Sequence, residues 1–224
     1  MEKYYPIICS SILFSGIEPD QLDYILSFLD ARTGQYGKDQ YIMRSGDTVE
    51  YLGLILSGHA LIIKEDFWGN RNILMHLTPG QCIGETFACS PGTPLNLNIV
   101  TETPCFILFL SIQRILTACR ENQSFQPLMV RNMLRDLASK NLEFSELMTH
   151  LGQRTTRDKV LSYLSIQSEK AKSSTFEIPY SRQQMADYLF IDRSGLSAEL
   201  SKMKKEGLLD YNKNVFTLKM PIEQ

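Results

Sequence analysis

The segment from Ile178 to Gly207, IPYSRQQMADYLFIDRSGLSAELSKMKKEG, has the pattern of two short helices joined by a tight turn. Ser181, followed three residues later by Gln184, forms a capping-box pattern that predicts a helix from Arg182 to about Leu189. Asp192 can cap a second helix, which ends where the segment ends. The pattern therefore predicts a helix-turn-helix.

The first turn of the second helix carries Arg193, Ser194 and Ser197. In a helix-turn-helix the second helix enters the DNA major groove, where a long hydrogen-bond donor among small polar side chains can reach base edges. Two β-rich runs, Leu208–Tyr211 and Val215–Leu218, follow around a turn and predict a hairpin "wing". An ordinary pair of capped surface helices has the same spacing, so the helix pattern alone leaves that alternative open.

Composition is that of a globular protein with room for two modest domains in 224 residues. The N-terminus lacks a basic, strongly apolar leader, and no run is long enough to span a membrane, so we expect a cytoplasmic protein without a membrane partner. The net charge is -2, but the last 74 residues carry 12 basic and 9 acidic side chains. The excess of positive charge lies in the part of the chain that contains the predicted helix-turn-helix.

The cysteines are scattered and show no CxxC spacing, which argues against a zinc site or a disulfide framework. They are Cys9, Cys82, Cys89, Cys105 and Cys119.

Between Gly34 and Gly92, glycines separate short β-rich runs such as Tyr51–Leu56 and Ala60–Lys64. This pattern of short strands separated by turn residues predicts a sandwich, barrel or jelly-roll-like β domain. A long helical pattern then begins near Pro127 and runs to about Leu151. The predicted architecture is α+β, with a β domain over residues 1–126, a long helix over 127–151 and a winged helix-turn-helix over 152–224.

The long helix has an apolar stripe at heptad spacing, interrupted by Lys140. Such a stripe can lie against a β domain or form a parallel dimer seam. Because an operator-binding helix-turn-helix usually needs a dimer to set half-site spacing, we favour a homodimer. The predicted interface residues are Val130, Met133, Leu137, Phe144 and Leu147.

The chain resembles the cyclic-AMP receptor protein/FNR (Crp/Fnr) family of bacterial transcription regulators over nearly its whole length. The residues that carry the resemblance are Ser45-Gly46-Asp47, Leu56-Ser57-Gly58, Pro79 to Glu85, Ser181-Arg182-Gln183 and Asp192-Arg193-Ser194, in family order. The resemblance implies a β-roll of the cyclic-nucleotide-binding type, a long dimerisation helix and a double-stranded DNA operator as partner. RNA polymerase is a further candidate partner.

The resemblance also implies the residues that meet DNA. Arg182 and Gln183 are expected near phosphates, and Arg193 at the start of the recognition helix is expected to reach a guanine. The cyclic-AMP-binding member has an arginine and a glutamate where Ala198 and Ser194 stand here, so its operator is not assumed. The full predicted set is Ser181, Arg182, Gln183, Asp192, Arg193, Ser194 and Ser197.

For the effector, the resemblance implies a pocket formed by Gly84, Glu85, Thr86, Leu95, Asn96 and Phe144. Cyclic-nucleotide binders of the family hold the ribose with a Gly-Glu pair and the phosphate with an Arg-Ser pair. Here Leu95-Asn96 stands at the second pair, and a buried phosphodiester without a cationic cradle is strongly disfavoured. We therefore expect no cofactor and an unknown small-molecule effector other than cyclic AMP.

Other sensing chemistries have weaker support. An iron-sulfur cluster needs several N-terminal cysteines, and only Cys9 is there. Haem bound by His76, or thiol sensing by Cys82 or Cys89, stays an alternative. Metal-dependent enzyme chemistry needs clustered ligands, whereas His59, His76 and His150 are isolated in the sequence, so no enzyme is expected. A regulator that acts through ligand or protein contacts, with degenerate DNA reading, is the remaining alternative.

Overall fold

The computed structural model describes residues 1–117 and 125–219, so Cys119 lies outside the described residues. The chain divides into two compact units. The first comprises Met1–Asn70 and Met75–Leu142, and the second comprises Arg71–Leu74 and the chain from Glu143 onward. The division falls inside the long helix, whereas the predicted boundaries at residues 126 and 151 stand at its two ends.

Helices α1 (Tyr5–Ser10) and α2 (Leu22–Phe28) precede the strands of the β domain. The strands are β1 (Arg32–Tyr36), β2 (Tyr41–Met43), β3 (Tyr51–Ser57), β4 (Ala60–Glu65), β5 (Arg71–Leu77), β6 (Cys82–Ile83), β7 (Asn98–Thr101) and β8 (Cys105–Ser111). The short helix α3 (Glu85–Ala88) lies between β6 and β7, and α4 (Ile112–Thr117) follows β8. Strands β1 and β6 and helices α1 and α3 were not predicted.

The strands form two four-stranded sheets, with the orders β1-β8-β3-β6 and β2-β7-β4-β5. The alternating leucines of β3 and β8, among them Leu54 and Leu108, point into one apolar core. Helices α1 and α2 cover this core together with the long helix α5 (Phe125–Leu151), which contributes Met129 and Met133. The predicted β domain is therefore a two-sheet structure with helices packed on its core.

The long helix presents a different apolar surface from the predicted one. Met133 and Leu147 are each only 3% exposed within the single chain, Met133 being part of the β-domain core. Val130 and Leu137 pack against the same core, and Phe144 is half-buried. The apolar side chains that are exposed on the helix are instead Leu134, Leu142 and Met148. Packing against the β domain thus uses much of the stripe assigned to a dimer seam.

The second unit contains α6 (Thr156–Ala171), β9 (Thr175–Glu177), α7 (Arg182–Leu189), α8 (Arg193–Lys205), β10 (Leu209–Asn212) and β11 (Val215–Leu218). Its strands form an antiparallel sheet in the order β10-β11-β9. Buried side chains at helical spacing, including Met185, Leu196 and Leu200, fill the core between the helices. The predicted pair of helices and the wing are both present.

Among the described residues, no helix combines the length and the apolar character that crossing a bilayer requires.

Candidate DNA-binding and effector sites

The two helices of the helix-turn-helix begin at the predicted caps. The Ser181 hydroxyl accepts from the Gln184 backbone N–H, and the Gln184 side chain accepts from the Ser181 N–H at 2.8 Å. Helix α7 ends at Leu189, and the C-cap residue Phe190 has a positive φ of 54°. At the start of α8, Asp192 accepts from the Gly195 N–H at 2.9 Å. Local hydrogen bonds therefore fix both helix starts and the turn between them.

Arg193 lies exposed in the first turn of α8. Within the described part of the chain the guanidinium of Arg193 forms no ion pair. By contrast, Arg157 of α6 pairs with Glu199 in α8 and with Glu206, which directly follows α8. An exposed guanidinium at a recognition-helix N-terminus has its donors available for a base edge. Whether Arg193 reads a base stays a prediction.

The other predicted residues of α8 are already engaged. The Ser194 hydroxyl donates to the Asp192 carboxylate, and the Ser197 hydroxyl donates to the Arg193 backbone carbonyl at 2.9 Å. The hydrogen bond from the Ser194 hydroxyl lowers the pKa of Asp192 below its ordinary value, and the hydrogen bond from the Gly195 N–H contributes less to the same shift. In the free protein these hydroxyls thus serve the start of the helix.

Gln183 and Arg182 at the start of α7 differ in environment. Gln183 is exposed and its side-chain amide donates to Asp187 at 2.7 Å, one turn along the helix. Arg182 is half-buried, and its guanidinium lies over the rings of Tyr211 and Phe216 in the wing. Only the first of these two predicted phosphate contacts therefore faces solvent freely.

In the β domain, the predicted ribose-binding pair starts the short helix α3. Gly84 has a φ of +74°, and a Cβ there would lie 2.6 Å from the Met43 sulfur, so both the backbone conformation and the space favour glycine. The next residue, Glu85, is 4% exposed. A carboxylate this deeply buried needs a charged or strongly polar partner.

That partner is Lys140 of the long helix. Its ammonium donates to Glu85 Oε1 at 2.7 Å and to the Cys82 backbone carbonyl at 2.7 Å. Asp136, one turn earlier, lies 3.1 Å from the same nitrogen. No sequence pattern predicted this Glu85-Lys140-Asp136 ion cluster, although a lysine within an apolar stripe indicates a buried partner.

The cluster contains two carboxylates and one cation, and Glu85 Oε2 has no hydrogen-bond partner among the described residues. Burial, opposed by Lys140 but reinforced by Glu85, raises the pKa of Asp136 above its ordinary value. Although burial alone would lower the pKa of Lys140, the carboxylates raise it, so the lysine stays charged. The ionised form of Asp136 is therefore disfavoured, because one lysine faces two carboxylates.

The remaining predicted pocket residues do not form a cationic cradle. Leu95 is buried, and its backbone bonds to the Ser45–Asp47 turn: its carbonyl accepts from the Gly46 N–H and its N–H donates to the Asp47 carbonyl, each at 2.8 Å. Thr86 and Asn96 are exposed. Phe144 belongs to the second unit.

Two histidines that are far apart in the sequence meet in the β domain, which corrects their interpretation as isolated. The rings of His59 and His76 stack with centroids 5.3 Å apart, and His76 Nε2 lies 3.0 Å from Glu102 Oε2. Even so, the described residues contain no group of three histidine, cysteine or acidic side chains arranged to hold a metal ion.

The two cysteines considered for thiol sensing, Cys82 and Cys89, are free thiols. Burial raises the pKa of the Cys82 thiol well above its ordinary value, and burial also raises that of Cys89. A reactive thiol needs a lowered pKa and access to solvent, so the structure offers no support for thiol sensing at Cys82.

A β-roll joined through a long helix to a winged helix-turn-helix defines a class of regulators, and comparisons with known proteins agree. Residues 33–122 match the cyclic nucleotide-binding domain, and residues 158–221 match the Crp-like helix-turn-helix domain. The chain belongs to the Crp/Fnr family of transcription regulators, and it is not an enzyme. The α+β fold predicted from the sequence is confirmed.

Relatives resemble the chain across most of its length. The transcriptional activator protein FnrL of Cereibacter sphaeroides is 26% identical over 78% of this chain and 71% of its own. The cyclic AMP receptor protein of Thermus thermophilus is 25% identical over 89% of this chain and 88% of its own. The structure of the c-di-GMP-responsive regulator CLP of Xanthomonas campestris has a TM-score of 0.72 at 19% identity, covering 91% of this chain and 100% of that one.

Proposed function

We propose that the protein is a homodimeric regulator that binds a two-half-site DNA operator and is controlled by a small-molecule effector other than cyclic AMP. The observation that carries the DNA reading is Arg193, exposed and unpaired within the described residues at the start of a capped recognition helix. One well-placed arginine can discriminate a guanine in the major groove. Its neighbours Ser194 and Ser197 add small polar groups. Each would need only to rotate its hydroxyl away from its present partner to contact DNA.

The effector proposal depends on Glu85. In a cyclic-nucleotide binder this glutamate accepts the ribose hydroxyls, but here its Oε1 already accepts from Lys140. A ribose would have to displace a buried ammonium, and the phosphate would find Leu95 in place of a cation. An effector, where one acts, therefore has a chemistry other than that of cyclic AMP.

The dimer proposal is supported by the exposed apolar side chains of the long helix. Leu134 is 60% exposed and Leu142 is 68% exposed, whereas other apolar residues of the same helix, such as Met129 and Met133, are buried in the β-domain core. A second copy of the same helix would bury them, and a two-fold dimer would space two recognition helices for two half-sites.

Selection of bound duplexes from a random DNA pool tests this function. The purified full chain is expected to enrich two half-sites separated by about one helical turn. Cyclic AMP and cyclic GMP are expected to change neither the enrichment nor the melting temperature. Enrichment of a single half-site would contradict the dimer, and a rise in melting temperature with cyclic AMP would contradict the effector proposal.

The alternative, a regulator with degenerate DNA reading, has one observation in its favour. The hydroxyls of Ser194 and Ser197 are engaged within the start of α8, which leaves Arg193 as the principal base reader. If the selection enriches no sequence while the protein still retards DNA, this alternative replaces sequence-specific operator binding.

A further inference from the structure

Arg182 is the first residue of α7, but its side chain contacts the wing. The guanidinium carbon lies 4.8 Å from the centroid of the Tyr211 ring and 5.2 Å from that of Phe216. Its Nη2 donates to the Lys213 backbone carbonyl, in the turn between β10 and β11, at 3.2 Å. Its Nη1 lies 3.9 Å from the Met185 sulfur. Both terminal nitrogens thus already have partners within the second unit.

The charge of Arg182 is held without an acidic partner. Among the described residues no carboxylate forms an ion pair with it, and burial lowers the pKa of its guanidinium, which nevertheless stays charged at neutral pH. Aromatic faces and a backbone carbonyl are the groups that stabilise such a cation in place of a carboxylate. These contacts connect the start of α7 to the wing.

Tyr211 receives a second cation, from the recognition helix. Lys204 Nζ lies 5.2 Å from the centroid of the Tyr211 ring and 2.5 Å from Asp210 Oδ1 in the same strand. Arg182 belongs to the first helix and Lys204 to the second. One aromatic ring of the wing therefore contacts a cation from each helix of the helix-turn-helix.

We propose that Arg182 is a positioning residue, which holds the wing through Tyr211 and the Lys213 carbonyl while the recognition helix binds DNA. The inference rests on the DNA-binding role of the winged helix-turn-helix. It assigns Arg182 to the wing and away from the phosphate contact that family resemblance implied. The two roles predict different results for DNA affinity. A phosphate-binding arginine and a wing-holding arginine differ in the salt dependence of that affinity and in its response to substitution of Tyr211.

The experiment compares Arg182→Met, Tyr211→Leu and the double variant in the full chain, using a duplex selected by the wild-type protein. Each single change should weaken binding about fivefold, and the double variant should lose less than the product of the two single losses, because both changes remove the contact between Arg182 and Tyr211. The slope of log affinity against log salt should stay unchanged. Lys64→Met, which removes one exposed charge from β4, is the charge-matched control and should alter neither quantity.

A direct phosphate contact gives the opposite pattern. Arg182→Met would then reduce the salt slope by about 0.9, and Tyr211→Leu would leave affinity unchanged. Either result overturns the proposal.

Hydrogen exchange of the DNA-free protein separates this inference from the proposed operator binding. Arg182→Met should speed exchange of the backbone amides over 211–216 about fivefold, with the α7 amides and the first unit unchanged. Arg182→Lys, which keeps the charge, should give a smaller increase and serves as the comparison if Arg182→Met unfolds the second unit. Unchanged wing exchange in both variants would refute the proposal, even if the wild-type protein selects an operator.

Discussion

At the scale of single residues, Arg193 should act on sequence discrimination and leave stability alone. Arg193→Ala is expected to lose about 1–3 kcal/mol of discrimination at one base pair, because its guanidinium would read a single guanine. Titration of the selected duplex and of its single-base-pair variants measures the loss. Thermal unfolding is the control and should not change, since the side chain is exposed and unpaired among the described residues. A uniform loss over all duplexes would instead indicate a phosphate contact.

Asp136 should make stability depend on pH. Because its pKa is raised above the ordinary 3.8, the folded state binds its proton more tightly than the unfolded chain does. Its favourable contribution is fully present below that ordinary value and is lost as the pH rises through the raised pKa. Asp136→Asn, which mimics the protonated acid, should therefore raise the free energy of unfolding more at pH 7.5 than at about pH 4.5.

Denaturant unfolding of Asp136→Asn at the two pH values provides the measurement. Lys140→Met is the matched variant, and it should lower the free energy of unfolding by about 3–5 kcal/mol because it leaves Glu85 and Asp136 without a cation. A pH-independent effect of Asp136→Asn would contradict the assigned cause.

Residues with local roles could be predicted, whereas residues with distant partners could not. Ser181 and Asp192 cap helices through backbone groups within three residues, so the sequence contains both partners. Lys140 and Glu85 are 55 positions apart, and no local pattern pairs them. The lysine could be recognised as unusual in an apolar stripe, but its partner required the packing of the long helix on the β domain.

At the scale of elements, the start of the recognition helix is the most sensitive feature. Asp192→Ala removes the acceptor of the Gly195 N–H and the partner of the Ser194 hydroxyl. We expect a melting temperature lower by about 2–4 °C and weaker operator binding, because Arg193 stands on the turn that frays. Asp192→Asn keeps an acceptor and is the control. Equal losses in both variants would show that charge, and not capping, matters.

Strands that depend on a partner were the elements that sequence missed. β1 is polar and has Gly34 at its centre, yet it pairs along its length with β8. A Cβ on Gly34 would lie 2.8 Å from the Tyr36 ring and 3.0 Å from the Phe109 ring, so the glycine makes room for aromatic packing over the strand. β6 has only two residues and forms against Gly53 and Leu54 of β3. Neither strand has an alternation of apolar and polar residues from which it could be predicted without its partner strand.

At the scale of the whole molecule, the order of motifs predicted the family. It did not predict which apolar residues of the long helix are exposed in the single chain. Heptad spacing identified Val130, Met133 and Leu137, and the structure packs these against the β-domain core. A heptad pattern records only that a helix has an apolar side, whether its partner lies in the same chain or in another. The helix carries a second exposed apolar set, which includes Leu134 and Leu142.

These exposed leucines give the test of the dimer. Leu134→Glu should raise the dimer dissociation constant at least 100-fold, by about 3 kcal/mol or more, because two-fold symmetry introduces the change twice at one interface. Sedimentation equilibrium measures the association. Trp68→Glu at the β4–β5 turn, where the tryptophan is 83% exposed, is the matched apolar-to-acidic control and should leave the mass unchanged. Operator affinity should fall with Leu134→Glu at concentrations where the wild type is dimeric, since two linked recognition helices bind far more tightly than one. A variant that stays dimeric would place the interface elsewhere on the chain.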